Sequence, residues 1–242
     1  AVAVHPRVIA SQRGCIMIRR RKVSIDTARA TWRIVGALLR YPDADLVAAL
    51  PTIRDAATCE RIPHAHTVAE LVDSWSALPV GELQARYVER FDMHRSCSLD
   101  MSWHQFGDRR QRGLVLLNLV QTYQRHGFGP ASGDLPDWLP LMLEFAAEAP
   151  GTAGRDLLVD WRTAIELVRR ELTEMQAPEV VLFDALSDTL GPADRGLIAT
   201  VERLLADGPP GEDVGLAPFG PSIDNEQPMM PPASTCAPGG LS

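Results

Sequence analysis

The chain has 242 residues, 45% of them hydrophobic and 23% charged, enough for one sizeable core. Its formal net charge of -7 excludes a general nucleic-acid binder, because a phosphate-contacting surface needs a basic excess. The imbalance sits in the middle of the chain, where residues 26–206 carry 26 acids against 18 arginines.

Residues 1–25 form a basic arm with Arg7, Arg13, Arg19, Arg20, Arg21 and Lys22 and no acid, expected to be disordered. Ser24, Asp26, Thr27 and Arg29 follow, where an export signal needs an apolar stretch, so a cytoplasmic protein is expected. No run of about 18 apolar residues occurs, and no membrane insertion is expected. Cys15, Cys59, Cys97 and Cys236 form no CxxC pair, which argues against a disulfide framework.

From residue 26 the dominant pattern is helical, with apolar side chains returning every three or four positions. Trp32, Val35, Leu38 and Leu39 make a first stripe, which Tyr41-Pro42 ends because the residue before proline is pushed out of the α region. A short helix over about 43–50 follows. Val68, Leu71, Val72 and Trp75 form a stripe that stops near Pro79, and Leu83, Tyr87 and Phe91 lie on a helix from Gly81 or Glu82.

Leu116, Leu119, Val120 and Tyr123 share one face of a longer helix stopping at Gly127, a C-cap glycine. Asp134 is a candidate N-cap, with Pro136 in the first turn and Asp137 near the positive end of the dipole. Leu139, Met142, Phe145 and Ala146 then face inward. After Pro150-Gly151 one long helix carries Leu157, Leu158, Trp161, Ile165, Val168 and Leu172. Pro178 opens another with Leu182, Ala185, Leu186 and Leu190, and Gly191-Pro192 separates it from a last one with Leu197, Ile198, Val201, Leu204 and Leu205.

The expected fold is all-α: a single irregular bundle of about eight or nine helices over residues 26–206. Residues 207–242, with eight prolines, six glycines and no basic residue, are expected to be a disordered acidic tail.

The sequence holds no glycine-rich phosphate loop, GxSxG elbow or HExxH motif, so a non-enzyme is expected. Cys59 with His64 and His66, and His94 with Cys97 and His104, are two candidate metal groupings. Neither presents four ligands at tight spacing, and solvated loop histidines are the alternative. The segment from Tyr87 to Gly127 is the most unusual. Its Arg109, Arg110 and Arg112 stand at a helix start, against the dipole unless Glu89, Asp92 or Asp108 pairs with them. A local conflict of this kind often marks a site.

Five blocks occur in order: Leu38-Leu39-Arg40-Tyr41-Pro42-Asp43; Tyr87-x3-Phe91-Asp92; Gly107-Asp108-Arg109-x-Gln111-Arg112-Gly113; Tyr123-x2-His126-Gly127; and Leu135-Pro136-Asp137-Trp138-Leu139-Pro140-Leu141-x-Leu143-Glu144-Phe145. Together the chain over about 32–190 resembles the NarJ (delta-subunit) family, the assembly chaperones of respiratory nitrate reductase. Relatives commonly carry histidine where this chain has Trp138.

The resemblance implies an all-α domain that binds the apo catalytic (alpha) subunit through that subunit's N-terminal segment. It further implies that the domain keeps the client competent for insertion of bis-molybdopterin guanine dinucleotide before membrane docking, and holds no cofactor stably itself. An amphipathic client helix fits a groove between helices. That groove is expected among Tyr87, Phe91, Arg109, Arg112, Tyr123, Asp134, Asp137, Trp138 and Glu144. Five of these have a plainer reading: core packing for Tyr87, Phe91 and Tyr123, and capping for Asp134 and Asp137. The rival functions are a helix-turn-helix regulator, with Arg109 to Arg112 on phosphate, and a helical metalloenzyme built on the histidine groupings.

Overall fold

The computed structural model describes residues 23–107, 110–129 and 133–207. Most of the expected basic arm and acidic tail lies outside these residues. The described chain is all-α. Its helices are α1 (Ile25–Leu38), α2 (Ala44–Cys59), α3 (Ala65–Ser76), α4 (Val80–Tyr87), α5 (Trp103–Phe106), α6 (Gln111–Arg125), α7 (Leu139–Glu148), α8 (Ala153–Asp160), α9 (Arg162–Glu174), α10 (Val180–Leu190) and α11 (Arg195–Asp207). Between α4 and α5 lie a π-helical turn, Val88–Met93, and a 3-10 turn, Arg95–Cys97. Among the described residues the one β feature is an isolated antiparallel bridge between Asp100 and Trp138.

Helix α1 is the central element, packed on α7, α10 and α2. Ser24 caps its start by accepting from the Thr27 N–H at 3.1 Å, and Asp26 adds a negative charge to its first turn. Trp32, Val35, Leu38 and Leu39 are buried as their spacing predicts. The Trp32 indole donates to Thr189 Oγ1 of α10 at 2.8 Å, so the large ring enters the core with its one polar atom satisfied. A side chain at Gly36 would bring a Cβ to 3.2 Å from Leu143 Cβ, so α1 and α7 lie unusually close at this position. Gly154 allows an even closer approach of α8 to α7, because a Cβ there would collide with the backbone of Ala146.

Four local expectations differ from the structure. The short helix after Pro42 continues through Pro51 to Cys59. Pro51 is exposed, so water can take the carbonyl left without a partner, while Leu50 and Ala57 bury the opposite side. The long helix expected over Leu157 to Leu172 is two, broken at Trp161, whose φ of -95° and ψ of 8° leave the helical range. The break lets the Arg162 guanidinium turn to the end of α10, where it donates to the Gly191 oxygen at 2.5 Å and to those of Leu190 and Pro192 at 3.4 Å. A cation at a helix C-terminus meets the negative end of its dipole. Burial lowers the pKa of this guanidinium, opposed by Glu166 beside it.

The third difference concerns Asp134, which caps nothing. It is exposed in a bend, and α7 begins only at Leu139, with Pro140 in its first turn. The fourth concerns Asp137, which turns inward to a buried bonding network instead of sitting in a helical first turn. A tight turn in which Trp138 N–H donates to the Leu135 oxygen at 3.0 Å sets that direction.

Candidate functional site

The residues singled out between Tyr87 and Glu144 meet through a two-rung backbone pairing. Met101 N–H donates to the Asp137 oxygen at 3.0 Å, and Leu139 N–H donates to the Leu99 oxygen at 2.8 Å. This pairing ties the loop before α5 to the loop before α7. It places Asp100, Ser102 and Asp137 side by side, and Arg112 from the first turn of α6 reaches in between them.

Ser102 donates to Asp137 Oδ2 from both its backbone N–H (3.1 Å) and its hydroxyl (2.5 Å). The Arg112 Nε donates to the Ser102 hydroxyl at 2.8 Å, and its Nη2 lies 3.2 Å from Asp100 and 3.5 Å from Asp137. Asp137 is fully buried, and its Oδ1 has no hydrogen-bond partner. Burial, and then repulsion from Asp137, raises the Asp100 pKa above the usual carboxylate value, while Arg112 opposes the rise. His104 is buried alongside, 2.8 Å from the Ser98 oxygen, and burial lowers its pKa toward the neutral ring.

This arrangement resolves the conflict for Arg112, with partners other than those expected. Arg112 pairs with Asp100 and Asp137, not with Glu89 or Asp92, and Asp108 lies outside the described residues. A guanidinium held by two carboxylates is not available for phosphate, so Arg112 lends no support to a helix-turn-helix reading.

Two sets of expected residues lie in front of this knot. At the end of α1, Arg40 places its guanidinium 5.4 Å from the centre of the Trp138 ring and 3.7 Å from Glu144 of α7. Arg40 also lines a small apolar slot with Leu38, Trp75, Leu83, Tyr87 and Phe91. Tyr41, Tyr87 and Phe91 stack in series, with ring centres 5.6 Å and 5.1 Å apart, and the Tyr87 hydroxyl donates to the Leu39 oxygen at 3.1 Å. At the slot's edge Glu179 faces Arg90 at 3.6 Å.

Tyr87, Trp138 and Glu144 therefore border one another, linked by Arg40, while Phe91 is buried in the core against Tyr87. Arg112, Asp137 and Tyr123 stand behind them. The Tyr123 hydroxyl donates to the Pro136 oxygen at 2.6 Å and its ring packs on Phe145, fixing the loop that presents Trp138. Burial raises the pKa of both Tyr87 and Tyr123. Asp134 is exposed and apart from these contacts, and Arg109 lies outside the described residues. Sequence reasoning left Arg40 and Tyr41 out of the groove. Their signal was the Arg-Tyr-Pro that ends the first stripe, where a helix terminus turns side chains outward.

A further opening lies elsewhere, an open cleft of about 590 Å³ between α6 and α8. Arg125 and His126 line one wall, Asp156 and Asp160 the other, with Leu119, Leu157 and Trp161 also facing it. Among the described residues no three His, Cys, Asp or Glu side chains converge as a metal site. His64 lies 3.3 Å from Asp188 and His66 3.4 Å from Glu70, while the Cys97 thiol is buried 3.7 Å from the Met175 sulfur. No described helix is long and apolar enough to cross a membrane.

The sequence profile of the family described as nitrate reductase delta subunit matches residues 43–175. The chain is 33% identical over 156 residues to the nitrate reductase molybdenum cofactor assembly chaperone NarJ of Escherichia coli K12, covering 63% of this chain and 66% of that protein. It is 34% identical over 130 residues to the probable nitrate reductase molybdenum cofactor assembly chaperone NarJ of Bacillus subtilis 168, covering 52% and 70%. It is 31% identical over 153 residues to the nitrate reductase-like protein NarX of Mycobacterium tuberculosis H37Rv, covering 61% and 22%. The chain thus spans just under two thirds of the length of the Escherichia coli relative.

Proposed function

The chain belongs to the nitrate reductase delta subunit family, and on that premise we propose that it is an assembly chaperone, not an enzyme, for the catalytic subunit of a respiratory nitrate reductase. It binds the apo subunit through that subunit's N-terminal segment. It keeps the subunit open for insertion of bis-molybdopterin guanine dinucleotide and delays membrane docking until insertion is complete. The cofactor is the client's, and this chain supplies only the grip on the protein.

The observation that carries this reading is the coincidence of the family match with the aromatic surface: residues 43–175 hold Tyr87, Trp138 and Glu144, with Arg40 and Tyr41 just before them. An amphipathic helix laid on this surface buries its apolar side against Tyr41, Tyr87 and Trp138. Glu144, exposed at the rim, gives its basic residues a counter-charge and a register. Arg40 already neutralises Glu144 in the free protein, so a basic residue of the client replaces an existing partner. The electrostatic gain is then small, and apolar burial supplies most of the affinity.

Titration calorimetry with a synthetic peptide of the client's N-terminal segment tests the proposal. Micromolar or tighter binding is expected, weakening modestly as added salt screens the rim. Absence of heat, together with failure of the peptide to compete with the intact apo subunit, would overturn it.

A further inference from the structure

Helix α6 carries a second surface, of opposite character and on the other side of the knot. We infer that its outer stripe is a docking site for an acidic amphipathic helix of a partner protein, separate from the surface that takes the client's N-terminal segment.

The stripe consists of Arg110, Leu114, Leu117, Gln121 and Arg125, which recur at helical spacing along one line of the helix. All five are exposed. Leu114 is 72% exposed and Leu117 54%, while the residues that α6 buries fully, Leu119 and Tyr123, point the other way. Two adjacent leucines on an exposed ridge are what a helix presents when it packs against another helix.

The charge of the stripe says which kind of helix. From Arg109 to Gly133 the sequence has four arginines and no acid, in a chain whose net charge is -7. Neither Arg110 nor Arg125 pairs with a carboxylate among the described residues; the Arg125 guanidinium bonds only to the Gln121 oxygen and the Thr122 hydroxyl of its own helix. Arg110 stands at the start of α6, with no acid in the first turn and no side-chain cap, so among the described residues nothing offsets the opposition of its charge to the helix dipole. A partner carboxylate there offsets a cost that the described fold leaves standing. Arg125 at the far end, ~22 Å along the axis, offers a second anchor.

The same charges exclude a second copy's α6 as the occupant, since that pairing would bring four arginines together with no carboxylate. Asp156 and Asp160 on the α8 wall keep an acidic partner out of the neighbouring cleft, which Arg125 borders. The partner helix is thereby confined to the leucine ridge, with apolar residues at its centre and acids towards both ends.

The test uses the full chain and two synthetic helix-forming peptides. Both carry leucines on one face; one has glutamates near both ends and the other has lysines. Fluorescence anisotropy is expected to register binding of the glutamate peptide alone. Its affinity should fall about tenfold or more in the double variant R110E/R125E. Leu117→Asp should abolish it, and both variants should keep wild-type melting because the positions are exposed. Equal binding of both peptides, binding of neither, or an unchanged affinity in R110E/R125E would overturn the inference.

A photo-crosslinker at position 114 in the cell adds a second readout. A crosslink to the acidic helix of another protein supports the inference, and a crosslinked dimer of this chain overturns it. Retained binding of the client's N-terminal peptide by R110E/R125E separates failure here from failure of the proposed function.

Discussion

Replacing Arg112 with methionine keeps most of the side chain's length but removes the guanidinium that Asp100 and Asp137 share. Asp137 is fully buried, and in the variant its charge is met only by the two Ser102 donors, at 3.1 Å and 2.5 Å. Breaking one side of a buried pair typically costs 3–5 kcal/mol, and because Ser102 remains, the expected loss is ~3 kcal/mol. Urea denaturation followed by circular dichroism measures it as a fall in midpoint at unchanged slope.

The pH dependence carries a sign of its own. Folded Asp100 holds its proton to higher pH than the unfolded chain does, since burial and Asp137 raise its pKa. Its contribution to stability therefore falls as pH rises between the unfolded and folded values, and returns on acidification. Arg112 opposes that rise, so its removal lifts the folded value further and widens the window. The penalty of Arg112→Met should shrink as the pH is lowered through the Asp100 titration. Adding Asp137→Asn should recover at least ~1 kcal/mol of the loss, because the buried charge is then gone. A variant as stable as the parent, a penalty that grows in acid, or strict additivity with Asp137→Asn would refute the reasoning.

Arg40→Ala is expected to change stability by less than ~1 kcal/mol, since its contacts with Trp138 and Glu144 are half-exposed, yet to weaken client-peptide binding measurably; melting and calorimetry on one sample check both. Gly154→Ala should cost about 3 kcal/mol or prevent folding, because the new Cβ meets the Ala146 Cα at 2.5 Å and backbone cannot move aside; expression yield and chemical denaturation report it. Burial pushes the Cys97 thiol up to about 11, so iodoacetamide should label exposed Cys59 well before Cys97 in the folded protein, with peptide mass spectrometry as the readout.

What the sequence determined by itself was local in cause. The return of apolar residues at three and four positions is a property of single helices, and Trp32, Val35, Leu38, Leu139, Met142, Ile165 and Leu182 are all buried as that spacing requires. Gly127 and Gly191 also end their helices as read, with φ of +83° and +89°. Where a proline, a turn or a tryptophan departs from the expected boundaries, at Pro51, Asp134 and Trp161, the deciding forces act between elements. Asp134 looked like a cap because the residues after it suit a helical first turn, but the structure uses those residues to pair with Leu99–Met101.

The site was legible only as a region. Its arginine conflict was visible in sequence, whereas the partners of Arg112 lie 12 and 25 residues away and reach it through a backbone pairing that no periodicity encodes. Arg40, which joins Trp138 and Glu144 to the Tyr87 slot, is about a hundred residues from both in sequence. Helical stripes follow from interactions three and four residues apart, so the chain declares them directly. Which charges meet, and which ridge of α6 is left bare, depends on how whole helices pack, and that is decided only when the core closes.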